Sequence, residues 1–188
     1  MPMETDKRLG IDEIIRHRRS HFVKEFNGMP VPNELIARML ENARWAPSHK
    51  LTMPWRFKVF EGAEKTALCS TMEQYYLQNT PAESFDERKL AKIRTYAFKV
   101  SHIISVGFEP SGKVPEWEEL AATAMAVQNM YLTLVEHPHA AGYWTTGNGA
   151  GSDFMKQQTG LPNSAVQQGF FFVGMVDEKR YEAERRHL

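Results

Sequence analysis

The chain has 188 residues, 42% of them apolar and 11% aromatic, which suits a single domain over 1–188 with a substantial core and excludes a disordered chain. Lys plus Arg and Asp plus Glu both number 23, so the formal net charge is zero and no basic footprint for nucleic acid exists. One cysteine (Cys69), a polar opening from Met1 to Gly10 and no apolar run long enough to span a bilayer exclude a disulfide framework, a cysteine-built zinc site and a membrane partner, and the expectation is a soluble cytoplasmic protein.

In chain order, Ile11, Ile14 and Ile15 share a helical face, with Asp12 and Glu13 in the first turn, and this helix is expected to end near Arg18-Arg19-Ser20. A second helix opens at Pro32, carries Leu35, Ile36, Met39, Leu40 and Ala43 as its apolar stripe, and is stopped by Pro47. Trp55 to Phe60 reads as a strand closed by Glu61-Gly62, and Ala63 to Leu77 as a helix. Residues 78–96 are charged, broken by Pro81 and without a clear period, which predicts a mobile helical excursion.

Phe98 to Phe108 reads as a buried strand and Pro110 to Pro115 as a loop. The longest helix is predicted over Glu116 to Glu136, with Leu120, Ala124, Val127, Tyr131, Leu134 and Val135 as its main apolar positions. Its alanines at 121, 122, 124 and 126 leave room for close approach by another element. A short strand follows at Gly142 to Trp144, then a glycine-rich turn at 147–151, a short helix at Asp153 to Gln158 and a last strand from Val166 to Val176.

Several clusters invite chemistry, and each has a plainer reading. Arg18-Arg19-Ser20 suits a phosphate, although cations at a helix end also simply complement its dipole. His17 and His21 have a metal-ligand spacing, but two arginines lie between them and no carboxylate completes the set. Ser48-His49 and Ser152-Asp153 are adjacent pairs, which rarely reach each other as nucleophile and base, and no nucleophile elbow surrounds them. Gly147-x-Gly149-x-Gly151 resembles a dinucleotide fingerprint, yet only 37 residues follow, so a turn with positive backbone dihedrals is preferred. Trp117, Tyr143 and Trp144 are candidates for stacking on a flat ligand or for ordinary core packing.

Taken together these pieces resemble the nitroreductase family of FMN-dependent oxidoreductases, and the likeness covers nearly the whole chain. Arg18-Arg19-Ser20 resembles the family's N-terminal Arg-x-Ser motif, and Val31-Pro32 through Trp45-Ala46-Pro47-Ser48-His49 resembles its second motif. Pro54-Trp55-Arg56-Phe57 resembles the opening of a core strand. Lys113-Val114-Pro115-x-Trp117 before the alanine-rich helix looks most like the small single-domain branch. Gly142-Tyr143-Trp144-Thr145-Thr146-Gly147 matches the segment that lies against the flavin ring.

The resemblance implies an α+β sandwich, a mainly antiparallel sheet flanked by helices, that dimerises with FMN between two identical subunits. It implies that Arg18, Arg19 and Ser20 hold the flavin phosphate and ribityl chain, that Trp144, Thr145 and Thr146 lie against the ring, and that Trp45, Pro47, Ser48 and His49 also belong to the cofactor site, with His49 reaching the flavin bound mainly by the partner. The chain departs from many relatives at Leu51 and Met53, where they carry Asn and Gln, and the C-terminal phosphate contact would fall to Lys179 or Arg180. No catalytic side chain or metal is expected, since the flavin carries the chemistry. The implied activity is ping-pong transfer from NAD(P)H to a nitroaromatic, quinone or similar acceptor. A reduced-FMN enzyme with a dedicated metabolite, or a non-catalytic flavin-binding protein, are the alternatives.

Overall fold

The computed structural model describes residues 9–183. Four strands, β1 (Trp55–Phe60), β2 (His102–Phe108), β3 (Ala140–Thr145) and β4 (Val166–Met175), form one antiparallel sheet in the order β1-β2-β4-β3. The helices are α1 (Ile11–His17), α2 (Asn33–Ala43), α3 (Gly62–Asn79), α4 (Glu87–Arg94), α5 (Tyr96–Lys99), α6 (Glu116–Val135) and α7 (Asp153–Thr159). This is the expected α+β class.

The run Phe170-Phe171-Phe172-Val173 in β4 explains the layering. Successive side chains of a strand point to opposite faces, and a central strand covered on both sides is apolar throughout. Phe170 and Phe172 pack with Leu68, Met72, Ile93 and Met155 on the α3 side. Phe171 and Val173 pack with Leu35, Met39, Ala126 and Met130 on the α2–α6 side.

Two elements differ from expectation. The segment over 78–96 holds a 3₁₀ turn at Ala82–Ser84 and helices α4 and α5, and it is packed into the fold rather than forming a loose excursion. Leu90, Ile93 and Tyr96 recur every third residue and are buried in the core, but the charges around them mask the period. The Asp86 carboxylate caps α4 by accepting from the Arg88 amide at 2.8 Å. The strand expected from Phe98 begins only at His102, because Phe98 and Lys99 close α5 and the Val100 amide bonds back to the Tyr96 carbonyl.

In α6, the buried face passes through Ala122, Ala126, Met130 and Leu134, whereas Leu120 is exposed together with Trp117 and Met125. The helix therefore carries apolar residues on a second, outward face. Tyr131 lies on the inward one.

Close approach between α6 and β3 requires Gly142. A Cβ there would sit 2.5 Å from the Phe171 ring and 2.9 Å from Leu134 Cδ1, and both neighbours are buried. Overpacking of this kind costs about 1–3 kcal/mol. Gly142→Ala is therefore expected to lower the unfolding free energy by about that amount in urea denaturation, and an unchanged midpoint would contradict this packing.

Candidate functional site

Three sequence-selected residues converge on a fourth that the pattern did not single out. The Trp144 backbone amide donates to the Tyr131 hydroxyl at 2.7 Å, and the Ser20 hydroxyl lies 3.2 Å from the same oxygen. The Arg18 guanidinium stands 5.1 Å from the Tyr131 ring centroid, a cation–π arrangement. The ring packs edge-on to Phe171 at 4.6 Å, which anchors it to β4. Burial raises the phenol's pKa, against opposing contributions from Ser20, the Trp144 amide and Arg18, so it stays protonated at neutral pH. Tyr131 sits on the apolar stripe of α6, and only its phenol oxygen distinguishes it from a core residue.

The two neighbouring arginines divide their work. Arg19 donates to the carbonyls of Arg16 at 2.6 Å, Arg18 at 2.8 Å, Glu182 at 3.3 Å and also Tyr181. Its guanidinium thus straps the C-terminal segment to the end of α1, while Arg18 turns toward Tyr131. Arg180 bonds the Ser20 carbonyl at 3.3 Å and pairs with Glu25 at 3.0 Å. The Lys179 ammonium donates to the Leu134 carbonyl at 2.6 Å and the Val135 carbonyl at 3.4 Å, so it caps the C-terminus of α6. His17, Arg19, His21, Tyr131 and Lys179 surround a cavity of about 20 Å³, room for roughly one water.

The remaining predicted residues lie elsewhere. Pro47, Ser48 and His49 line a groove of about 430 Å³ with Trp117, Glu118, Ala121 and Met125. His49 Nδ1 meets the Glu118 carboxylate at 2.6 Å. The Ser48 hydroxyl accepts from the Met53 amide at 3.2 Å, so it caps its own loop. In that loop Lys50, Leu51 and Met53 have φ values of 51°, 52° and 43°, a left-handed conformation that costs a side chain with a Cβ. Leu51 is also 78% exposed. Trp45 borders a separate groove of about 300 Å³ with Ile11, Asn42, Asn129 and Leu132, its indole N–H donating to Glu41 at 3.1 Å.

Thr145 and Thr146 follow Trp144 at the open end of β3, where the Thr145 hydroxyl accepts from the Gly147 amide at 3.1 Å. Among the described residues the buried Trp144 indole nitrogen has no hydrogen-bond partner. The glycine-rich segment is a turn, with positive φ at Asn148 (59°) and Gly149 (73°). A Cβ at Gly149 would lie 2.4 Å from the Tyr75 ring, so this glycine admits an aromatic side chain of α3. Ser152 caps α7 through the Met155 amide, and the His17 ring packs on Tyr181 with centroids 4.9 Å apart.

Glu118 and Tyr131 share α6 but are 13 positions apart. At 1.5 Å per residue their Cα atoms are separated by about 20 Å along the axis. One chain therefore carries two separate clusters, a cationic, hydroxyl-bearing one at Tyr131 and an apolar groove at Glu118.

Burial pushes Lys179 down to about 8 from 10.5. Between those values the unfolded chain binds more protons than the folded one, so stability rises with pH through that window. Relative to Lys179→Met, the native chain is expected to gain stability between pH 8 and pH 10.5 in urea titrations. A parallel pH dependence of the two proteins would show that the carbonyl contacts offset the burial.

The sequence model described as "Nitroreductase family" matches residues 15–175. The chain is 30% identical over 174 residues, 91% of its length and 79% of the relative's, to "Putative NAD(P)H nitroreductase YfhC" of Bacillus subtilis strain 168. Among solved structures, the nitroreductase-like family protein from Bacillus cereus superposes with a TM-score of 0.78 at 24% identity, covering 97% of this chain and 93% of that one. A Desulfovibrio desulfuricans structure, described as a "putative nitroreductase in complex with fmn", gives 0.72 at 20% identity, covering 97% and 94%.

Proposed function

This chain belongs to the nitroreductase family, and from that premise we propose that it is an FMN-dependent oxidoreductase that draws reducing equivalents from NAD(P)H. The observation that carries this reading is the convergence of Arg18, Ser20 and Trp144 on Tyr131. A guanidinium and a hydroxyl suit a phosphate, and the unpartnered buried indole N–H of Trp144 is a donor without an acceptor. That donor-rich set fits an anionic ligand with acceptor atoms, as FMN is. The curated B. subtilis relative carries NAD(P)H in its name, and the D. desulfuricans neighbour is described with FMN.

When bound, FMN supplies two-electron redox chemistry, linking oxidation of NAD(P)H to reduction of a nitroaromatic, quinone or similar acceptor in two half-reactions that use one crevice in turn. Arg18 and Ser20 hold the phosphate end, and Trp144, Thr145 and Thr146 orient the ring end. Arg19 contributes by fixing the backbone of that motif, since its guanidinium is committed to carbonyls. We take the whole of residues 1–188 as one cytoplasmic domain in this reading.

Homodimerisation completes the crevice. An interface between identical copies across a two-fold axis is self-complementary. Met125 lies midway between Glu118 and Tyr131 on the outward face of α6, so an antiparallel crossing there brings each copy's Tyr131 end to the other's Glu118 end. Pro47, Ser48 and His49 then wall the flavin held by the partner, while Trp45 sits in its own groove against Asn129 and Leu132 and is left out of that wall. Trp117 at 67% exposure and Leu51 at 78% supply apolar surface that such an interface covers.

The purified protein is expected to be yellow, to bleach on addition of NADH or NADPH, and to recolour with a nitroaromatic. Bleaching without turnover of generic acceptors favours a dedicated metabolite, and a colourless protein with no affinity for FMN overturns the proposal. Met125→Glu buries an unpaired charge at the crossing, a cost of several kcal/mol. It is expected to sediment as a monomer and to lose FMN, whereas a dimer that keeps FMN would refute the antiparallel crossing.

A further inference from the structure

The hydrogen bonds at Tyr131 have a direction. A backbone N–H can only donate, so the Trp144 amide occupies a lone pair on the phenol oxygen, at 2.7 Å. Among the described residues, the one acceptor within reach of the phenol's own proton is Ser20 Oγ, at 3.2 Å. The reverse sense, with Ser20 donating to Tyr131, would leave a buried phenol proton without an acceptor, which is costly. A serine hydroxyl that accepts from Tyr131 keeps its own proton to give elsewhere.

We propose that Tyr131 is a positioning residue that turns the Ser20 hydroxyl into an outward hydrogen-bond donor and thereby selects a ligand bearing a phosphate. The relay runs from the Trp144 amide through the phenol to the serine hydroxyl, and each bond polarises the next. The same ring carries the Arg18 guanidinium on its face, so one side chain sets both the cation and the neutral donor. The edge-on packing against Phe171 holds the phenol in place for both tasks. Burial and the raised pKa keep the proton on the phenol at neutral pH. The proposal rests on the FMN reading above and adds to it a side chain expected to touch no flavin atom.

The test compares FMN with riboflavin, which lacks the phosphate, by fluorescence titration of the native chain, Tyr131→Phe, Ser20→Ala, the double variant and Ser20→Thr. Tyr131→Phe is expected to weaken FMN about tenfold and riboflavin less than about twofold, the size of one charge-assisted hydrogen bond. Ser20→Ala should do the same, and the double variant should be no worse than either single one within about twofold, because a relay is lost once. Ser20→Thr keeps the hydroxyl and should keep the preference for FMN. Melting temperatures report whether each variant is folded, and a Ser20→Ala chain that loses no more affinity for FMN than for riboflavin overturns the proposal even if the tyrosine variant does not fold. Equal loss of FMN and riboflavin affinity, or multiplying effects in the double variant, overturns the relay while leaving the FMN reading intact. A native chain that binds neither flavin overturns both.

Discussion

A rigid helix of 20 residues holds the Tyr131 cluster and the Glu118 groove of this molecule apart. α6 cannot bend far enough to bring Tyr131 and Glu118 together, and at 1.5 Å per residue about 20 Å separates them. Arg18, Ser20 and Trp144 gather at one end, and Pro47, Ser48 and His49 at the other. On the proposed reading each cluster is half of one crevice. The Tyr131 end has cationic and donor groups, and the Glu118 end has a groove with no arginine on its lining. On the proposed reading, a second copy of the chain supplies the other half.

The packing beneath α6 is what gives the helix its rigidity. Ala122 and Ala126 let it approach the sheet closely, and Gly142 lets β3 come up beside it without displacing Phe171 or Leu134. Lys179 then satisfies carbonyls at its C-terminal end, while Glu119 accepts from the Ser111 amide at 3.0 Å and ties the preceding loop to its first turns. The C-terminal segment that carries Lys179 also crosses the end of α1, where Arg19 clips it. Fold and candidate site therefore meet in the C-terminal segment: Lys179 closes α6, and its neighbour Arg180 bonds the Ser20 carbonyl.

Much of this was legible in the residue pattern. The two prolines around 47 and 54 framed the loop, β1 runs over the predicted Trp55–Phe60, and α2 buries the predicted Leu35, Ile36, Met39 and Ala43. The last strand, predicted from Val166 to Val176, is β4, Val166–Met175. Other features left no periodic trace. Leu90, Ile93 and Tyr96 are too sparse among charges to reveal their helices, and Leu120 looks like a core residue until the sheet defines which side of α6 faces inward. Arg18 and Arg19 are indistinguishable in the sequence, and only the path of the C-terminal segment assigns one to the strap and the other to Tyr131. Tyr131 itself was hidden as one more apolar position, because its role depends on a phenol oxygen reaching two residues more than ten positions away.

Whether two chains build one crevice is answered most directly by complementation. Arg18→Glu removes the cation at the Tyr131 end, and Ser48→Trp fills the groove at the Glu118 end. Each variant alone is expected to bind no FMN. When the two are co-expressed, half of the dimers are mixed and each mixed dimer holds one undamaged crevice, so FMN content should recover to about a quarter of the native level. A co-expressed pair that binds no more flavin than its separate parents would contradict the account.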